Sequence, residues 1–468
     1  MDKKHGRGSF TGSLGFVLAA AGSAVGLGNI WRFPYLAAKD GGGVFLLTYL
    51  ILALTFGFTL LITEISIGRK TGQSPLTAYG MIHKKMGWVG IFACLIPAMI
   101  LPYYCALGGW VLKYLSVYLT GQGAAAAVDG YFGGFITAQW SPIIWFLLFI
   151  GATAFFVYRG VDKGIEKLSR IAMPILLVLI AGVSVFSLFL EHTDASGVTR
   201  TGFQGLLVYV VPNFEGMTFK QFMVVLTDAM GQLFYSISVA MGIMIAYGSY
   251  VPKDMDLEKS VNRIEICDTL VAFLAGMMII PAVFTFMGAE GMSASGPALM
   301  FKALPKVFEA MGSVVGSIVG IVFFLTVAFA AVTSSVSVME AVVSSVIDQF
   351  GWKRKKATLI VLIVALIMGI LVCLGYNALY FELPLPNGSV AQILDILDYI
   401  SNYIMMPVVS IATCVFIGWV VKPKTIIEEV TLNGNKFRRE KVFVVMIKYI
   451  TPVLLTLLLL QALGLIRF

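Results

Sequence analysis

What most constrains this chain is a series of long stretches without a single charged residue: Gly41–Thr63, Gly87–Leu112, Ile171–Leu190, Ala310–Met339 and Ala357–Gly375. A helix needs about 20 apolar residues to cross a bilayer, and in hydrocarbon every backbone polar group must be satisfied within the structure itself. Charged residues make up 12% of the chain and hydrophobic ones 59%, whereas soluble proteins carry about 25% charged residues. The chain therefore reads as an all-α integral membrane protein. The pattern predicts eleven transmembrane helices, at roughly 12–36, 42–68, 88–119, 140–158, 165–190, 219–250, 261–288, 311–347, 355–375, 390–421 and 442–464.

Most of the 33 lysines and arginines fall in alternate loops, among them Arg69, Lys70, Lys84, Lys85, Arg159, Lys163, Lys167, Arg170 and the Lys353–Lys356 run. Basic loops stay on the cytoplasmic side, which predicts a cytoplasmic N-terminus and, after eleven spans, an extracellular C-terminus in the plasma (cell inner) membrane. The net charge of +8 follows from these loops and calls for no nucleic acid. The apolar run after Lys3, Lys4 and Arg7 continues through Trp31, so it reads as the first span rather than a cleaved leader. Cys94, Cys105, Cys267, Cys373 and Cys414 lie scattered in apolar segments and read as small hydrophobes, not as a disulfide or zinc framework. Ser293–Ala310, with Pro297 and Pro305, is expected to form a folded extracellular cap.

The first span is unlike its neighbours. Gly22-Ser-Ala-Val-Gly26-Leu-Gly28-Asn-Ile-Trp-Arg-Phe-Pro34 puts three glycines where a membrane helix normally has bulky aliphatics. Each costs about 1 kcal/mol against alanine in a helix interior. A Gly-x-x-x-Gly helix contact is one reading. A break is the other, and Asn29 and Arg32 favour it. The sixth span holds a second polar centre, Gln232-Leu-Phe-Tyr-Ser236-Ile-Ser238-Val-Ala-Met-Gly242. The sixth span comes five after the first, an odd offset that implies opposite orientations, and paired broken helices in two halves point to a transporter's substrate site. Helix starts at the midplane offer amides to a carboxylate, and helix ends offer carbonyls to cations. An amphoteric amino acid fits both.

Ionisable residues inside spans are functional by default, and the candidates are Glu64, Asp228, Asp268, Glu340, Asp348, Asp395 and Asp398. Glu64 is read as support for the amides of a broken helix. In Ala330-Ala-Val-Thr333-Ser334-Ser335-Val-Ser337, any one hydroxyl ordinarily bonds back to a carbonyl one turn earlier, yet Thr333 and Ser334 are also candidate cation ligands. Arg32 with Asp398 could close the site from outside, and Arg7 with Asp348 from inside.

The glycine-broken segment, together with Gly41-Gly-Gly43, resembles the signature of the neurotransmitter:sodium symporters, and the likeness extends over essentially the whole chain. It is nearest to the bacterial eleven-helix leucine and tryptophan/tyrosine-type members. The resemblance implies two inverted five-helix repeats (1–190 and 219–421), joined by an extracellular linker (191–218) and followed by a cytoplasmic loop and an eleventh helix (422–468). It implies two sodium ions and no organic cofactor. One sodium site would use Ala24, Asn29, Ser236 and Asp268; the other Gly22, Val25, Ala330, Thr333 and Ser334. The substrate cavity would be lined by Ser23, Ala24, Leu27, Gly28, Ile100, Tyr104, Tyr235, Ser236, Ser238, Met241, Ser334 and Val338, with Tyr104 on the carboxylate and Tyr235 as lid. Arg32 and Asp398 would form the outer gate, and Arg7, Phe10, Tyr250, Glu340 and Asp348 the inner one. Gly164 and Pro174 match the family's motif for unwinding the fifth helix.

The sequence departs from the family at the lid, where Tyr235 replaces a phenylalanine. It departs again in the cavity, where Ser23 and Met241 replace the leucine member's asparagine and phenylalanine. In the seventh span the family's sodium-binding asparagine aligns with Asp268 or, one place off, with Cys267. Asp268 is preferred because oxygen is the better sodium ligand, and it would also supply the fixed negative charge that animal relatives obtain from chloride. The expected function is sodium-coupled, chloride-independent import of a hydrophobic or aromatic amino acid, with a transport-dead sensor or a channel on the same fold as the alternative. No enzymatic activity is expected, and the expected partners are the amino acid and the bilayer; the oligomeric state stays open.

Overall fold

The computed structural model describes residues 8–194, 196–291 and 296–466. Thirteen helical elements form the bundle. They are α1 (Ser13–Ala24), α2 (Gly28–Lys39), α3 (Gly43–Thr71), α4 (Lys84–Leu119), α5 (Ser141–Tyr158), α6 (Val161–Leu188) and α7 (Phe219–Ser236), then α8 (Ile243–Gly248), α9 (Leu257–Gly288), α10 (Ser313–Phe350), α11 (Arg354–Leu374), α12 (Ile393–Val420) and α13 (Glu440–Ala462). Among the described residues nine of these are long and apolar enough to cross a membrane, and the bent pair α1–α2 makes a tenth. The pair α7–α8 falls outside that count. Lys220, Gln221, Asp228 and Gln232 dilute its hydropathy, and its second part has only 6 residues.

The observed helices start and stop within a few residues of the expected spans. Glycine supplies several of the stops: Gly72 after α3 (φ 62°) and Gly351 after α10 (φ 66°) take the left-handed conformation that ends a helix without a Cβ penalty. Two of the connections carry structure of their own. The stretch after α3 contains a helix at Pro75–Ile82, and the linker before α7 opens with a two-stranded hairpin, Glu191–Thr193 with Thr199–Thr201. The expected cap is helical at Leu304–Ala310, while 293–295 lie outside the described residues.

α4 and α10, two of the longest helices, pack against each other through the middle of the bundle. α1 and α6 pack on α10, α9 packs on α1 and α6, and α3 lies along α8. That last contact is backbone on backbone. A Cβ at Gly68 would strike the Ile245 carbonyl, and one at Gly248 the Ile65 carbonyl. Small residues allow such close approach between membrane helices. α3 and α8 are therefore locked side by side.

Candidate functional site between two broken helices

The glycine-rich segment does break. α1 ends at Ala24, α2 begins at Gly28, and the two axes differ by 54°. Facing it, α7 ends at Ser236 and α8 begins at Ile243, with Ser238, Ala240 and Gly242 at φ 55°, 65° and 70°. Ser238 and Ala240 are side-chain-bearing residues in a region that L-residues seldom occupy, so the surroundings must hold the break. Glu64 does so: its Oε1 accepts the Ala240 amide at 2.6 Å. The two breaks are also tied together, as Ser238 Oγ donates to the Ser23 carbonyl at 3.0 Å and Ser23 Oγ to Ser238 Oγ at 3.1 Å.

All twelve residues expected to line the substrate cavity line one cavity between the breaks, joined by Gly26 and Asn29. It measures about 30 Å3, and a water needs roughly 10–15 Å3, so its walls must part to admit anything larger. Glycine at 26 and 28 keeps this space open. A Cβ at Gly26 would come 3.0 Å from both Ser334 Oγ and the Tyr104 hydroxyl, and one at Gly28 3.1 Å from the Tyr235 ring. At the new helix start, the Leu27 amide donates to the Tyr104 hydroxyl (3.3 Å) and the Gly26 amide to Asn29 Oδ1 (3.1 Å).

On one flank lies Asp268. Its Oδ1 accepts from Asn29 Nδ2 and Ser236 Oγ, both at 2.8 Å, and its Oδ2 from the Tyr49 hydroxyl at 3.2 Å. The carboxylate is buried, and these three partners are all neutral. Between the two alternatives, Asp268 is the residue that reaches the break; the partly buried Cys267 does not take part. A buried charge with only neutral partners is costly, and a cation resting against it would offset that cost. Asn29, Ser236 and Asp268 are thus brought together, beside Ala24 in the cavity wall.

On the other flank, Ser334 Oγ lies 3.3 Å from the Gly22 carbonyl, 3.1 Å from that of Ser23 and 3.0 Å from that of Val25. One hydroxyl proton serves one acceptor at a time, so three converging carbonyls form an oxygen-rich, electron-rich pocket suited to a hard cation. Ser23's carbonyl had not been expected in this set. Thr333 Oγ1 instead bonds back to the carbonyls of Phe329 (2.9 Å) and Ala330 (3.1 Å), although its Cβ would stand only 3.3 Å from a Cβ at Gly22.

The outer gate is not a closed pair. Among the described residues no ion pair within 4.0 Å joins Arg32 to Asp398. Asp398 Oδ1 accepts from Asn402 Nδ2 (2.6 Å) and the Tyr103 hydroxyl (3.1 Å), while the Arg32 guanidinium lies 5.8 Å from the centre of the Tyr403 ring. Arg32, Asn402 and Tyr403 line a wider cavity of about 490 Å3. Tyr235 lines both cavities and so forms the wall between them.

At the other end of the bundle, Glu340 is gripped by a residue the sequence reading missed. Arg354 donates to both carboxylate oxygens, at 2.6 and 2.9 Å, and the Tyr250 hydroxyl adds a third bond at 2.6 Å. Phe10 packs on Tyr247 and Tyr250, with ring centres 5.6 and 6.3 Å away. Asp348 Oδ2 accepts the Ser74 amide at 2.6 Å. Arg7 lies outside the described residues. Gly164 sits in the wide first turn of α6, where a Cβ would strike the Phe156 carbonyl. Pro174 is accommodated within α6, which is continuous from Val161 to Leu188. Gln232 is a further omission: it donates to the Gly28 carbonyl at 3.1 Å across the two breaks.

Two interrupted helices facing each other across a central cavity define the binding-site architecture of secondary transporters. The chain belongs to the sodium:neurotransmitter symporter family, whose model matches residues 7–128 and 137–467. It is 30% identical over 465 residues to an uncharacterized sodium-dependent transporter of Bacillus subtilis, covering 97% of each chain. It is 32% identical over 432 residues to one of Methanocaldococcus jannaschii, covering 88% of this chain and 82% of the relative. The crystal structure of MhsT in complex with L-phenylalanine superposes with a TM-score of 0.84 at 33% identity, over 98% of this chain and 100% of that one.

Proposed function

We propose that the protein is a sodium-coupled symporter that imports a hydrophobic or aromatic amino acid by alternating access, with two sodium ions and no requirement for chloride. The observation that carries this reading is the central cavity: twelve residues from five helical elements and two breaks converge there, with Asp268 on one flank and the Ser334–carbonyl cluster on the other. The amide of Leu27 and the hydroxyl of Tyr104 mark where a substrate carboxylate binds. Ile100, Met241 and Val338 supply the apolar wall, and the flexible thioether of Met241 lets it repack around side chains of different shape. The ligand named for MhsT, L-phenylalanine, supports an aromatic substrate. Asp268 places a permanent negative charge beside the first cation, which removes the need for an anion from solution. Each sodium ion entering through 100 mV supplies about 2.3 kcal/mol.

In this reading the fold has eleven membrane helices. α1–α6 and α7–α12 are two inverted five-span repeats, α13 is the extra span, and the N-terminus is cytoplasmic in the plasma membrane. Thermal-shift measurements on detergent-purified protein with an amino-acid panel, in sodium and in potassium, test the proposal. Stabilisation by phenylalanine, leucine, tyrosine or tryptophan in sodium alone is expected. Equal stabilisation in both salts would overturn sodium coupling.

A further inference from the structure

Where α5 meets α6, at the membrane end shared with Phe10 and Glu340, lies a basic pocket of about 490 Å3 that the transport reading does not use. Arg159, Lys163, Lys167 and Arg170 surround it, with Asp162 as its exposed acid. Arg170 is engaged: it pairs with the buried Glu166 at 2.6 Å and donates to Thr11 Oγ1 at 2.8 Å. Glu166 in turn accepts the Thr11 amide at 3.0 Å. Among the described residues Arg159, Lys163 and Lys167 have no acidic partner within 4.0 Å, and the Arg159 guanidinium only covers the Phe155 ring, 4.4 Å from its centre.

The chemistry changes sharply along α6. Lys163 and Lys167 begin a stripe at helical spacing that continues as Ile171, Ile175 and Val178, all exposed and apolar, beside exposed Phe155 and Tyr158 on α5. Unpaired cations at the membrane boundary, continuous with an apolar surface running into the hydrocarbon, have the shape and polarity of a single anionic amphiphile. We propose that this pocket binds the headgroup of an anionic phospholipid, with an acyl chain along Ile171, Ile175 and Val178. Basic pockets between membrane helices recognise such headgroups. The proposal rests on the membrane placement of α5 and α6 and is independent of what the central cavity transports.

The test is native mass spectrometry of the full detergent-purified chain, titrated with phosphatidylglycerol or phosphatidylcholine. Preferential retention of phosphatidylglycerol is expected. The double variant Lys163→Gln, Lys167→Gln should lower its affinity about fivefold per cation removed, with phosphatidylcholine unchanged, whereas Lys422→Gln, Lys424→Gln on another loop should not. If the double variant loses its thermal transition, the two single variants are read separately. Equal retention of both lipids, an equal effect of the control pair, or displacement of the lipid by millimolar inorganic phosphate would each overturn the proposal.

Discussion

Replacing Asp268 with asparagine separates charge from shape. The asparagine Oδ1 keeps the bonds from Asn29 and Ser236, both 2.8 Å in the parent, and its Nδ2 can donate to the Tyr49 oxygen 3.2 Å away. The fold therefore loses only the charge-assisted part of those bonds, about 1 kcal/mol. A sodium ion bound as proposed would lose its one anionic ligand from the protein, and removing a buried charge opposite a charge costs about 2–5 kcal/mol. Sodium affinity should fall by about 30-fold or more, while the transition temperature without sodium stays close to the parent's. The assay is a sodium titration of the thermal transition, at constant ionic strength held with choline chloride and repeated with choline gluconate. Asp268→Ala, which leaves three donors without an acceptor, should destabilise by about 1–3 kcal/mol for each. If Asp268→Asn titrates with sodium as the parent does, Asp268 is not a ligand. If the parent already needs chloride, the fixed-charge reasoning fails with it.

Other expectations follow from single contacts. Glu64→Leu strips the acceptor from the buried Ala240 amide and should destabilise by about 1–3 kcal/mol, whereas Glu64→Gln keeps an acceptor and should recover much of that in a thermal melt. Arg354→Gln breaks a buried bidentate pair with Glu340, worth about 3–5 kcal/mol when one partner is removed. It should raise labelling of a cysteine introduced at Phe10, and unchanged labelling would count against Arg354 as an inner latch. Beyond the end of α2, burial first and the nearby charge of Asp228 second push the Asp40 carboxyl up to about 7, against the pull of Lys39. The folded state thus holds a proton that the unfolded chain releases near pH 4. This contribution is full below pH 4 and is lost as pH rises through 7. Asp40→Asn should flatten the melting-temperature profile between pH 4 and 7, and an unchanged profile would refute the assignment.

The two breaks were legible because glycine and serine stand where a membrane helix otherwise carries bulky aliphatics. The cavity lining was legible because a motif carries its residues position by position. Arg354 was not. It sits in Lys353-Arg354-Lys355-Lys356, where charge reads as a loop beside the membrane, and only the turn between α10 and α11 selects the one side chain that folds back to Glu340. Tyr49 looked like one more large residue in an apolar run, because its worth lies in a hydroxyl that meets Asp268 from 219 positions away in sequence. Arg32 and Asp398 could be placed on the same side of the midplane, but sequence says nothing of whether 4 Å or a cavity separates them. Main-chain groups are the hardest to read: the Ser23 carbonyl belongs to the Ser334 cluster through the path of the broken backbone, and no side chain announces it.

That cluster has a consequence for how the bundle responds to ions. Three carbonyl oxygens at the end of α1 aimed at one hydroxyl are frustrated, because whichever accepts the proton leaves the other two facing the lone pairs of the Ser334 oxygen. The end of α1 and the middle of α10 are therefore pushed apart by their own oxygens. A cation seated among them would attract every one of these oxygens, and that attraction would outweigh the repulsion between them. The same atoms that wedge two helices apart would then become the clasp between them, so an ion bound there as proposed would draw α1 toward α10 through main-chain oxygens.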